Sequence, residues 1–61
     1  MKFKVGEMVN IPMAFEGYDA IGIIFEVHTV LNDMYAIQTS NNDWDWYRTD
    51  DIEKIVLRNS F

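Results

Sequence analysis

Cysteine is absent from this 61-residue chain. Disulfides and thiolate metal sites are therefore excluded, and the core must hold the fold unaided. Long apolar runs are missing too. The longest, residues 20–25, contains a glycine and is far too short to span a bilayer. The first seven residues lack the apolar segment of a signal peptide. Positive charge is scarce, with five Lys and Arg against ten Asp and Glu, a formal net charge of −5. Nucleic-acid affinity rests on neutralising phosphates with Lys and Arg, so the overall field opposes a polyanionic partner. Histidine occurs once, as His28. No nucleophile motif or glycine-rich phosphate loop accompanies it.

What is present favours β structure. Hydrophobic residues make up 49% of the chain, which excludes disorder. Many are Ile, Val, Phe, Trp and Tyr, whose branched and aromatic side chains pack well on a pleated surface. The length leaves room for one domain, residues 1–61. A domain of this size buries roughly 60% of the surface its unfolded chain exposes, so the core must be dense.

Along the chain, Val9 and Ile11 alternate with Met8 and Asn10 in the period-two pattern of a strand. Pro12 cannot donate to a ladder and is expected to end that strand or sit on an edge. Residues 13–19 read as a looping excursion carrying Phe15, Glu16, Tyr18 and Asp19, with Gly17 free to take a positive φ. Residues 20–30 form the longest strand candidate. Ile21, Ile23, Phe25 and Val27 share one face; Gly22, Ile24, Glu26 and His28 share the other. Ile24 breaks a clean split, as expected of a long, strongly bent strand that serves two sheets and whose inward face changes along its length. Gly22 is placed where the backbone bends or another segment comes close.

Residues 31–34 suit a tight hairpin. Residues 34–39 form the next strand, with Tyr35 and Ile37 on one face, and residues 40–43 a second turn. In residues 44–48, Trp44, Trp46 and Arg48 face one way, Asp45 and Tyr47 the other. Residues 49–52 resemble one helical turn capped by Thr49 or Asp50. Residues 53–57 close the chain as a strand with Ile55 and Leu57 inward, and residues 58–61 read as a frayed tail.

The segments Val5-Gly6-Glu7-Met8-Val9, Gly22-Ile23-Ile24-Phe25-Glu26-Val27, Tyr35-Ala36-Ile37 and Trp46-Tyr47-Arg48-Thr49-Asp50-Asp51-Ile52-Glu53-Lys54-Ile55 together resemble the SH3-like small β-barrel superfamily. The resemblance covers nearly the whole chain and implies an all-β, five-stranded SH3-like barrel with a short helical turn before the last strand. It is also similar to many short bacterial and phage proteins. It does not carry over proline-rich-peptide binding. Val9-Asn10-Ile11-Pro12 stands where those domains have their tyrosine-bearing strand. Tudor-like barrels cage methylated Lys or Arg with loop aromatics. Phe15, Tyr18, Trp44 and Trp46 stand in comparable places without a motif match.

The candidate site is an aromatic and acidic face made of Phe15, Glu16, Tyr18, Asp19, Trp44, Asp45, Trp46 and Asp51. Aromatic rings attract cations by about 0.5–2 kcal/mol per good contact, and Trp, Tyr and Arg dominate protein–protein hot spots. Carboxylates beside such rings would steer a basic partner. The competing reading of the rings is that Trp46 and Phe15 fill the core while Tyr18, Trp44 and Tyr47 cover it. For the acids, with Asp43 and Asp50 included, it is turn and cap chemistry. Asp43-x-Asp45 and Asp50-Asp51 offer oxygen ligands but lack the EF-hand spacing, so no metal or cofactor is expected.

The reading favoured is therefore a small acidic protein–protein interaction module binding a basic protein surface. It would be cytoplasmic, monomeric or weakly dimeric, and without an enzyme activity. The first alternative is a phage-type inhibitor of a host nucleic-acid enzyme or defence system, anti-CRISPR proteins included. The second is a nucleic-acid-binding small barrel, using a basic spot formed by Lys2, Lys4 and Arg58.

Overall fold

The computed structural model describes residues 3–31, 33–40 and 42–55. Five antiparallel strands follow in order: β1 (Met8–Phe15), β2 (Tyr18–Val27), β3 (Met34–Ser40), β4 (Asp43–Arg48) and β5 (Glu53–Lys54). A 3-10 turn, Thr49–Asp51, joins β4 to β5. The strands lie in one sheet in the order β4-β3-β2-β1-β5. The fold is thus all-β, as the composition predicts. The strand pairing by itself leaves the sheet open, since β4 and β5 are its two outermost strands.

The sheet curves around one apolar cluster. Phe3, Val9, Ile11, Ile24, Tyr35, Ile37 and Ile52 form it, with Ala14, Val27 and Tyr47 packed against it. Tyr35 is the largest of these side chains and only 1% exposed. Its hydroxyl oxygen accepts the Phe3 N–H at 3.3 Å, and the two rings meet edge to face with centroids 5.5 Å apart. A buried phenol needs such a partner. The lead-in before β1 is tied to β2. Gly6, at φ +92°, donates its N–H to the Ile24 carbonyl at 2.8 Å, and the Ile24 N–H reaches the Glu7 carbonyl at 3.0 Å. The Glu7 carboxylate in turn reaches Lys54 Nζ of β5 at 3.7 Å.

One expectation about β1 is overturned: residues 13–19 are not a looping excursion. Of the two places expected for Pro12, the strand end and an edge, it takes the edge, past the reach of β5. β1 runs on to Phe15, which pairs with Tyr18 across a two-residue Glu16-Gly17 turn. Pro12 is tolerated because β5 pairs with β1 only at Val9 and Asn10, so no ladder bond is asked of it there. A bulge between Ile11 and Phe15 absorbs the irregularity, with Met13 at φ +56°. Asp19 holds that bulge: its Oδ1 accepts the Met13 N–H at 3.1 Å and its Oδ2 accepts from Asn10 Nδ2 at 3.2 Å.

The inward face of β2 changes along its length as expected, but the strand serves one sheet and not two. Ala20, Gly22 and Ile24 are buried, whereas Ile21, Ile23 and Phe25 are exposed. A bulge between Ile24 and Glu26 then shifts the register against β3, and Val27 turns toward the core. At Gly22 a Cβ would stand 2.5 Å from Ile37 Cγ2 and 2.8 Å from the Gln38 carbonyl oxygen. β3 crosses β2 there more closely than any side chain allows.

The β2–β3 connection is longer than the expected hairpin at residues 31–34, since β2 ends at Val27. His28 organises it: Nδ1 accepts the N–H groups of Val30 at 3.2 Å and Leu31 at 3.0 Å. The 3-10 turn is not capped by Thr49 or Asp50 as expected. Asp51 supplies the carboxylate, accepting the Arg48 N–H at 3.4 Å, while the Thr49 hydroxyl donates to the Asp33 carbonyl at 3.3 Å. Asn32, Asn41, Leu57, the tail at 58–61, and the Lys2 and Arg58 parts of the basic spot lie outside the described residues. Among the described residues no helix is long and apolar enough to cross a membrane.

Candidate functional site: an aromatic row on the outer sheet face

Residues opposite each other in a sheet share a face. Register therefore assembles the outer surface row by row. Met8 pairs with Ile23, Ile23 with Gln38, and Gln38 with Trp44. The row Met8–Ile23–Gln38–Trp44 thus runs across four strands, opposite the face that carries Val9, Ile24 and Ile37. The next row is Glu26–Ala36–Trp46. The expected orientation of Trp44 and Trp46 to one side and Asp45 and Tyr47 to the other is what the register produces.

The large apolar members of this face are open to solvent. Met8, Ile21, Ile23, Phe25 and Trp44 are each between 42% and 56% exposed. The rings touch in sequence. Phe25 meets Trp44 with centroids 5.4 Å apart, Trp44 meets Trp46 at 6.1 Å, and Trp46 meets His28 at 5.4 Å, all edge to face. Such contacts hold ring orientation beyond simple area burial. Ala36 points to this same outer side yet is fully buried, so the ring row roofs the sheet at that point. Beside the row lies an open depression of about 360 Å³, lined by Met8, Ile21, Ile23, Gln38 and Ser40 around Gly22.

The eight residues singled out from sequence fall into separate places. Trp44 and Trp46 belong to the row. Phe15 and Tyr18, 53% and 72% exposed, face each other at the β1–β2 hairpin tip with Glu16 in the turn. Tyr18 is five residues along β2 from Ile23, about 16 Å at strand rise. One continuous ledge of Phe15, Tyr18, Trp44 and Trp46 is therefore not formed. Core filling is overturned for Phe15, which is exposed, and for Trp46, which is half-buried outside the core cluster; Trp44 stays outside the core as that reading has it, and Tyr47 packs against it.

The acids divide likewise. Asp19 holds the β1 bulge, and its carboxyl lies below its ordinary value because the Met13 N–H, and then the Asn10 amide, favour the anion. Asp45 Oδ1 accepts the Trp46 N–H at 2.7 Å, Asp51 caps the turn, and Asp43 Oδ2 accepts from the Ser40 hydroxyl at 3.1 Å. Burial, and then the charge of Asp45, raise the Tyr47 phenol above its ordinary value.

Sequence reasoning missed Phe25, His28 and Glu26 as members of the aromatic face. For Phe25 the signal was available: Ile21, Ile23 and Phe25 form an alternating set, and Ile24 on the opposite face was the discordant residue. Among the described residues no three His, Asp or Glu side chains group closely enough to hold a metal ion. Compared with known proteins, the chain matches no family model, no curated protein and no solved structure.

Proposed function

We propose that this chain is a binding module whose outer face, centred on Phe25, Trp44 and Trp46 with Met8, Ile21 and Ile23 beside them, docks onto a basic surface of another protein. The observation that carries the reading is the row of mutually oriented rings on the outer face, with Met8, Ile21 and Ile23 exposed beside it. Apolar patches of this kind, rimmed by polar residues, mark interaction sites. Glu26 lies in the row of Trp46, and Asp43 is next to Trp44. With a net charge of −5, these carboxylates select for a partner bearing Lys and Arg, whose side chains also gain from the ring faces. A cytoplasmic setting suits a cysteine-free chain of this kind. The phage-type inhibitor is the same surface used to block a host enzyme, and no separate observation favours it.

The same proposal includes curling of the sheet into an SH3-like barrel whose outermost strands, β4 and β5, meet through the core and not through a ladder, so that the β4 edge stays open. Supporting it, the core cluster draws on both ends of the sheet, with Tyr47 from β4 and Ile52 from beside β5. The three-residue turn also leads directly from one outermost strand to the other.

The experiment is capture of partners from a lysate by wild type and by Trp44→Ala, with thermal melts of both. Titration by tryptophan fluorescence with an Arg- and Lys-rich amphipathic peptide and its Glu-substituted counterpart provides a defined probe. Trp44→Ala is expected to melt close to wild type and to lose the basic peptide about tenfold or more, the loss of one hot-spot ring. Equal affinity for the two peptides, or a folded Trp44→Ala that binds like wild type, would overturn the reading.

A further inference from the structure

β4 is an outermost strand of the sheet. Such a strand exposes backbone donors and acceptors that another strand can pair with. Which donors it exposes follows from β3. The Met34 carbonyl accepts the His28 N–H at 3.0 Å, so the backbone groups of Met34 point toward β2. In an antiparallel ladder both groups of a residue point the same way, and the direction alternates from one residue to the next. Arg48, opposite Met34, and Trp46, opposite Ala36, therefore aim their N–H groups away from β3, at the open edge.

By the same alternation Trp44, opposite Gln38, also aims its N–H at this edge, and the other two donors are already occupied from within the chain. Asp45 Oδ1 holds the Trp46 N–H at 2.7 Å, and Asp51 Oδ2 holds that of Arg48 at 3.4 Å. We infer that Asp45 and Asp51 close the β4 edge against strand addition by a second copy of this chain. An arriving strand must displace the short charge-assisted bond of Asp45 and replace it with a neutral ladder bond, which is about half as strong, and must displace the longer Asp51 contact as well. It must also leave two carboxylates beside its own backbone, and a second copy arriving with its own β4 adds Asp43 and Asp45 to them. The inference concerns the edge of the sheet and stands apart from whatever docks on its outer face.

The test compares wild type, Asp45→Ala and Asp45→Asn by sedimentation equilibrium over a concentration series, with amide hydrogen exchange at Trp46. In dilute wild type the Trp46 amide is expected to exchange more slowly than an open amide, and in dilute Asp45→Ala faster than in wild type. Asp45→Ala should self-associate about tenfold more tightly than wild type, with its Trp46 amide becoming protected as it associates. Asp45→Asn keeps an acceptor oxygen but loses the charge, and should fall between wild type and Asp45→Ala in both association and Trp46 exchange. Three results overturn the proposal. One is a wild-type Trp46 amide that exchanges at the unprotected rate, which is read without any variant. The second is a folded Asp45→Ala no more associated than wild type, or associated with its Trp46 amide still open. The third is Asp45→Asn associating as Asp45→Ala does, which would make charge rather than the hydrogen bond the barrier.

Discussion

Single side chains decide several features that the strand pattern leaves open. Gly22 has no room for a methyl group, because the nearest atoms include the Gln38 carbonyl oxygen at 2.8 Å, a backbone atom that cannot rotate aside. Gly22→Ala should cost about 3 kcal/mol, at the upper end for overpacking, and lower the urea midpoint without changing the transition's slope. Asp19 behaves differently, since it contributes through its charge. Its folded pKa lies below the ordinary 3.8. The stability it contributes is therefore present above that value and is lost as pH falls through the lower folded value. Wild type should lose more of its melting temperature than Asp19→Ala on acidification below about pH 4; equal losses would mean that the Met13 and Asn10 contacts do not favour the anion.

At the scale of elements, irregularities carry as much meaning as the strands. The bulge after Ile24 lets β2 show Ile21, Ile23 and Phe25 to solvent and still deliver Val27 to the core. The bulge in β1 allows Pro12 and a left-handed Met13 within a continuous hairpin. The β2–β3 connection depends on His28, whose Nδ1 gathers two N–H groups. Substitution by Ala should speed exchange of the Val30 and Leu31 amides and cost about 1 kcal/mol or less, because water can reach both donors. Unchanged exchange at those two amides would show that the loop holds itself without the imidazole.

For the whole molecule, extents of 43 × 26 × 21 Å describe an elongated body rather than a sphere. The hairpin tip with Phe15 and Tyr18 and the ring row on β2 and β4 are thereby separate surfaces. The electrostatic part of the proposed interaction belongs at this scale, since a net charge of −5 acts over the whole surface. Binding of the basic peptide should weaken as salt rises from low toward physiological ionic strength, chiefly in its on-rate. Salt-independent binding would assign the recognition to the rings alone.

The chain by itself determined the number of strands, the shared face of Tyr35 and Ile37, a bend or close approach at Gly22 and the opposed faces of Trp44 and Asp45. Each of these follows from period-two alternation or from the lack of a Cβ, which are local properties. Only the tertiary structure decided that Phe25 and His28, rather than Phe15 and Tyr18, complete the ring row. Strand register sets which distant residues become neighbours, and two bulges shift that register in ways that alternation cannot encode. The same holds for Asp45 and Asp51: their residue type announced turns and charge, but their hydrogen bonds depend on which way the backbone of β4 faces once β3 is beside it.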